Sequence, residues 1–263
     1  MATILVTGGT GTLGRSLVDR LLEDGHEVRS LSRRPHTGRE RPGLRVHAVD
    51  LRDGTGLAEA VAGADAIVHC ASAPSGGDTE AAGRLIDAAR AAAVPHMVYI
   101  SIVGVDRVPL RYYRSKRAVE QLIEDSGLGW SVLRTTQFHD LVLALVKGGA
   151  RSPVLPVPVG VRVQPVAVTE VAARLAGLAA GAPAGRVTDL GGPEVLAAGD
   201  LVRATLEAGG RRRLLAPLWL PGRTFGALRR GGNLTPEHAD GRQTYAEFLA
   251  ERAAAGNVAG NAR

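Results

Sequence analysis

The segment Thr7-Gly8-Gly9-Thr10-Gly11-Thr12-Leu13-Gly14 constrains this chain more than any other. It follows a short apolar run, Thr3 to Thr7. Beyond it Leu13, Leu17, Val18, Leu21 and Leu22 recur at helical spacing as far as Asp24. The segment satisfies both G-x-G-x-x-G (Gly9, Gly11, Gly14) and T-G-x-x-G-x-x-G (Gly8, Gly11, Gly14). Glycine is required in such a turn because the backbone takes positive φ, approaches a ligand without a Cβ in the way, and lets the helix pack close to the sheet. The helix N-terminus then presents unpaired N–H groups and the positive end of its dipole. Strand, glycine turn and helix in this order predict a dinucleotide pyrophosphate held by Gly8, Gly9, Thr10, Gly11, Thr12, Leu13 and Gly14.

Strand-like and helix-like segments alternate from there on. Strands are expected at 27–32, 44–49, 64–70, 97–102 and 130–134, with helices at 56–62, 79–93 and 112–126 between them. This βαβα alternation predicts an α/β fold: a doubly wound parallel Rossmann sheet of about seven strands, with residues 186–190 completing it, and a small C-terminal substrate region. With aromatic residues at only 3%, the core must be built from Ala, Val and Leu. We expect one NAD(P)-binding domain over 1–252. Its cofactor core is 1–137, a mixed substrate-capping and sheet-completing part is 138–252, and 253–263 is a flexible tail.

In such sheets ligands bind beyond the carboxyl ends of the strands. The second strand ends Ser32-Arg33-Arg34, with no carboxylate to take a ribose 2′-hydroxyl; a hydroxyl and two guanidinium groups suit a 2′-phosphate instead. NADP(H) is therefore expected over NAD(H). Asp50 and Leu51, after the third strand, fit an adenine amino group and ring face, although Asp at a strand end also serves as a turn residue. Ala71 and Ser72 open the loop after the fourth strand and are assigned to the cofactor as well.

Tyr112 and Lys116 form Y-x-x-x-K on one helix face. A nearby ammonium favours the ionised phenol and so makes it a proton donor or acceptor, and the lysine can also reach ribose hydroxyls. Ser101, at the end of the fifth strand, is placed to bond a substrate carbonyl. Tyr113 adjoins Tyr112, and either phenol can face the pocket. After the sixth strand, Thr135 and Thr136 are expected at the nicotinamide carboxamide, Phe138 and His139 at the pocket wall, and Trp219 in an apolar substrate region. A lone histidine such as His139 is more often structural, and Cys70 reads as a small core residue.

A single cysteine allows no intrachain disulfide, and no His/Cys cluster has metal-ligand spacing. The formal charge of +6 comes from arginines spread along the chain and interleaved with acids, so no nucleic-acid partner is expected. Nowhere do 18 apolar residues run together, and the N-terminus lacks a basic leader. A cytoplasmic monomer or homodimer with a small apolar substrate and no membrane partner is the expectation.

With these residues in view, the chain resembles the atypical short-chain dehydrogenase/reductases, in the NmrA-like branch. The resemblance rests on TGGTGTLG (7–14), SRR (32–34), VDL (49–51), HCAS (69–72), YISIVGVD (99–106), YYRSK (112–116) and LRTTQFHD (133–140). It implies a seven-stranded parallel sheet and matches Ser101, Tyr112 and Lys116 to the superfamily's Ser–Tyr–Lys set. It further implies an NADPH-dependent oxidoreductase acting on an apolar carbonyl or quinone. The alternatives are a non-catalytic dinucleotide sensor, or an epimerase or dehydratase on the same scaffold.

Overall fold

The computed structural model describes residues 1–32, 41–72 and 76–256. The chain divides into two compact units: Met1–Ser101, Arg111–Arg134 and Thr169–Thr188 in the first, and Ile102–Leu110, Thr135–Val168 and Asp189–Arg263 in the second.

The first unit is built on a parallel sheet of seven strands. Six are β1 (Thr3–Thr7), β2 (Glu27–Ser32), β3 (Leu44–Ala48), β4 (Ala66–His69), β5 (His96–Ile102) and β6 (Gly129–Thr135), and the seventh is the two-residue strand Gly185–Arg186. They lie in the order β3-β2-β1-β4-β5-β6 followed by the short strand. Parallel register runs from Thr3 opposite Glu27 on one side of β1 and Ile4 opposite Ala66 on the other. The order reverses direction between β1 and β4, which is where a doubly wound sheet opens a ligand crevice. Ile4, Leu5 and Val6 are fully buried, as is required of a strand covered on both faces.

Helix α1 (Thr12–Glu23) buries Leu13, Leu17, Val18 and Leu21, the stripe its sequence spacing indicated. The helices α2 (Leu57–Val61), α3 (Asp78–Ala91) and α4 (Arg111–Glu124) follow β3, β4 and β5 in turn. Leu85, Ala89, Val119 and Ile123 join Ile67, Met97 and Tyr99 in one aliphatic cluster. Helix α4 is tied to β6 by a buried ion pair: Arg134 donates to Glu120 at 2.9 and 2.7 Å.

The second unit has its own core. Helix α5 (His139–Gly149) packs Val142 and Leu143 against Leu201, Tyr245, Phe248 and Leu249. Strand β7 (Val154–Pro158) pairs in parallel with Leu214–Leu218. The final helix, Tyr245–Ala254, opens on a capping box in which Thr244 and Glu247 bond each other's backbone N–H. It reaches two residues into the stretch expected to be a flexible tail; 257–263 lie outside the described residues. Among the described residues no helix is long and apolar enough to cross a membrane.

Candidate active site

The glycines of the 7–14 turn serve two purposes. A Cβ on Gly14 would overlap the Gly8 carbonyl oxygen, and one on Gly9 would overlap the Ser30 hydroxyl. Gly8 stands at φ +70° with the Ala71 backbone nitrogen 2.8 Å from where its Cβ would lie. These three are glycine because the protein itself fills the space, which also draws α1 and the β4 loop against β1. Gly11 differs. It is exposed, its φ is an ordinary −74°, and a Cβ there would meet only the Gly8 oxygen at 3.2 Å. It is the N-cap of α1, and no side chain caps the helix. An open backbone at an uncapped helix N-terminus is a cradle for an anion.

A cleft of about 480 Å³ begins at this turn and crosses the carboxyl ends of β1 to β4. Gly8, Thr10 and Gly11 form one end, with Ser32, Asp50, Leu51, Ala71 and Ser72 along it. All eight were expected from the sequence. Gly9, Thr12, Leu13 and Gly14 do not line it; Leu13 is buried in the helix packing. Arg33 and Arg34 lie outside the described residues. Asp50 caps its own turn, accepting the Arg52 N–H at 3.0 Å, so the structural role foreseen for it is present. The sequence reading missed Arg52, His69, Gly77 and Asp78, which also line the cleft. Asp78 was hidden because an acid in the first turn of a helix, following Gly76-Gly77, ordinarily just complements the helix dipole.

The tyrosine and lysine meet as their i, i+4 spacing required. Lys116 is buried, donates to the Ile100 carbonyl at 3.3 Å, and has its ammonium 4.9 Å from the Tyr99 ring centre and 5.9 Å from that of Tyr112. Tyr112 is half-buried, and its hydroxyl lies 2.9 Å from Ser72 Oγ, while Tyr113 is buried. Ser72 Oγ in turn donates to Asp78 Oδ2 at 3.1 Å. A serine has one proton and a carboxylate only accepts, so Tyr112 must donate to Ser72. The result is a directed chain, Tyr112 to Ser72 to Asp78, whose last two members line the cleft. Ser101 is buried, and its Oγ has no partner among the described residues.

The electrostatics differ from the expectation that Lys116 would lower the Tyr112 phenol. Burial pushes Tyr112 above its ordinary value, and the Asp78 charge adds to this. Burial holds Lys116 below its usual value, countered by Asp78, Cys70 and Glu120. Desolvation is the largest influence on both groups. Below them His69 stacks on Tyr99 at 5.4 Å and bonds Thr7 Oγ1 at 2.7 Å. Burial lowers its pKa to about 3, so the ring is neutral at physiological pH. Burial also pushes the Cys70 thiol up to about 12, which leaves it protonated and unreactive.

Five expected site residues belong to the second unit. Thr135 and Thr136 are buried; the Thr136 N–H donates to the Leu190 carbonyl and its hydroxyl accepts from Gly192. Phe138 is half-buried at the N-cap of α5. His139 was expected at a pocket wall, and its position corrects this. The ring is fully buried between Tyr245 and Phe248 and bonds the Gln243 carbonyl at 3.1 Å, so it serves as a core histidine. Trp219 is corrected as well: it is 61% exposed, with the Arg229 guanidinium stacked 3.9 Å over its ring, and does not line the cleft described above.

A Rossmann sheet with an open glycine cradle at its switch point defines a dinucleotide-binding domain. The family model for NAD(P)H-binding proteins matches residues 8–148, and the chain belongs to this family, in the atypical short-chain dehydrogenase/reductase group that its motifs indicated. Among curated relatives, a (4-alkanoyl-5-oxo-2,5-dihydrofuran-3-yl)methyl phosphate reductase of Streptomyces griseus is 35% identical over 148 residues, 55% of this chain and 51% of the relative. Quinone oxidoreductase 2 of Escherichia coli is 26% identical over 145 residues, 54% of this chain and 51% of the relative. The chain thus spans about half the length of these curated relatives. The crystal structure of an NADPH-dependent quinone oxidoreductase from Escherichia coli, complexed with NADPH, superposes with a TM-score of 0.78 at 20% identity, covering 94% of this chain and 99% of the other.

Proposed function

We propose that this protein is an NADPH-dependent oxidoreductase that reduces a small apolar carbonyl or quinone, acting from the cytoplasm as a monomer or homodimer. The observation that carries this reading is the placement of a protonated Tyr112 beside the cleft, hydrogen-bonded to Ser72 and backed by the buried Lys116. A protein that merely bound a dinucleotide would have no need of a phenol held ready with a path for its proton.

The residues of the cleft fit the cofactor. Gly11 leaves the backbone open where a pyrophosphate must approach, and Thr10 and the uncapped first turn of α1 supply donors. Leu51 offers an apolar face, and Ser32 stands where an NAD site would place a carboxylate. Arg33, Arg34 and the cleft residue Arg52 supply positive charge for a 2′-phosphate. When bound, the nicotinamide supplies a hydride.

The chain's own residues handle the proton. Tyr112 gives its proton to the reduced oxygen, and its raised pKa keeps it protonated until well above neutrality. The phenolate left behind takes a proton back from the solvent of the cleft, beside the Ser72 hydroxyl. Lys116 holds positive charge beneath the phenolate as it forms. Ser101, whose hydroxyl has no partner among the described residues, keeps its hydrogen-bonding capacity for a ligand oxygen.

The experiment is a comparison of steady-state reduction of a quinone series by NADPH and by NADH. We expect turnover favouring NADPH, loss of that preference in Arg33→Ala/Arg34→Ala, and a fall in kcat of about 10²-fold or more in Tyr112→Phe without loss of NADPH binding. Full activity in Tyr112→Phe would remove the phenol from the mechanism.

A further inference from the structure

Apart from Met1 and Leu122, every large hydrophobic side chain exposed among the described residues lies in two stretches of the second unit, 141–159 and 214–219. These stretches sit within two runs of sequence that contain no Asp or Glu. One, 141–169, carries Lys147, Arg151 and Arg162; the other, 208–236, carries six arginines. A chain in which acids and arginines are otherwise interleaved has thus cleared acids from the segments where it exposes leucine and tryptophan.

The fold brings the two runs together. Val154 at the start of β7 lies opposite Leu214, and both are exposed, so they share the outer face of that two-stranded sheet. Arg213 donates to the Ala150 carbonyl at 3.1 Å, fastening one run to the end of the other. Lys147, Arg151 and Arg211 line a single cleft of about 360 Å³. On α5 the stripe Ala144, Lys147 and Gly148 faces this cleft, with Arg151 just past the helix end, and Leu141 and Leu145 lie one row around the helix. Leu145 and Leu214 are each 67% exposed.

We propose that this face is a docking surface for an anionic membrane, its cations on the lipid headgroups and its leucines and tryptophan at the acyl boundary. The chemistry selects this occupant over two others. A second copy packed on the same patch would set like charges against one another. Nucleic acid would reward the arginines and give nothing for exposed aliphatic side chains. An anionic bilayer rewards both, and a tryptophan beside arginine is suited to the interface. A surface that only lies on a membrane leaves no long apolar run, so a search of the sequence for spans does not register it. The inference does not depend on the reaction proposed above.

The test is co-sedimentation of the whole protein with vesicles of phosphatidylcholine alone, and of phosphatidylcholine with a third of the lipid replaced by phosphatidylserine. Binding is expected only to the second, weakening as salt is raised. Each cation on such a surface is worth about fivefold in partitioning. Lys147→Glu/Arg151→Glu should therefore lower it by about 25-fold or more, and Leu145→Ser/Leu214→Ser by about tenfold, both with unchanged Tm. Three results would overturn the proposal. The first is equal binding, or none, to the two kinds of vesicle. The second is duplex DNA binding without vesicle binding. The third is a lipid-free dimer, seen by light scattering, that the same variants dissolve.

Discussion

Gly11 and Gly14 stand three residues apart and answer to different demands. Gly14 is closed in by the Gly8 carbonyl, so Gly14→Ala should destabilise the fold by several kcal/mol, beyond the ~1–3 kcal/mol typical of overpacking, because backbone has to move. Gly11 has room and ordinary φ. A methyl group there should lower Tm by only a few degrees, since Ala in place of Gly at an exposed N-cap costs about 1 kcal/mol, while weakening the cofactor. Paired thermal melts and binding measurements on the two variants check this. The glycine pattern itself was legible in the sequence, but this division between packing and ligand needed the neighbouring backbone. The partners of Tyr112 were not legible either. Ser72 lies 40 residues away and Asp78 looked like a helix-start acid, so only the fold shows that the phenol's proton has somewhere to go.

Lys116 makes a further case at the same scale. Its folded pKa is depressed by burial, so the unfolded chain binds its proton more readily across neutral pH, and the group costs stability there. We expect Lys116→Met to raise Tm by a few degrees while abolishing turnover, as measured by calorimetry and steady-state assay. A lowered Tm would show that the Ile100 and Tyr99 contacts outweigh the desolvation.

Among the elements, α4 matters most, since it carries both Tyr112 and Lys116. Its hydrophobic stripe was readable from spacing, and the helix itself was expected at 112–126 against the observed Arg111–Glu124. What fixes its position was not: Glu120, fully buried, receives Arg134 from β6 and Arg117 from its own helix at 3.1 Å. On sequence alone Glu120 is one more polar residue on an amphipathic helix. Removing one partner of a buried pair typically costs ~3–5 kcal/mol, because the other is left uncompensated. We expect Glu120→Gln to lower stability in urea by that amount and to reduce activity in parallel. Adding Arg134→Met should restore much of the stability. Equal loss in the single and double variants would show that the ion pair is not what anchors the helix.

For the whole molecule, the parallel sheet followed from the strand–helix alternation, because each β-α step is local and right-handed crossovers leave few alternatives. The second unit was far less legible. It gathers three separate stretches of chain, and one of its organising residues is the buried Gln164, whose amide bonds Gly192 and Thr235 at 2.9 and 3.2 Å. No periodicity announces such a brace, and the same distance in sequence made His139 look like a site residue when it is core. Acid should unfold the molecule partly through His69. Its pKa falls from 6.5 unfolded to about 3 folded, so its contribution is complete above about pH 6.5 and drains away as pH falls toward 3. Between pH 7 and 4.5 this single group should remove ~2.5 kcal/mol, at about 1.4 kcal/mol per pH unit below pH 6.5. Urea unfolding at the two pH values should show a correspondingly smaller drop in His69→Gln than in wild type.

The most direct measurement is a fluorescence titration of the protein with NADPH, run beside Gly11→Ala under the same conditions. Saturable binding by the wild type, weakened about tenfold or more in a variant that melts within a few degrees of it, is the expected result. No binding by the wild type, or equal binding by the two, would contradict the assignment of this cleft to the dinucleotide.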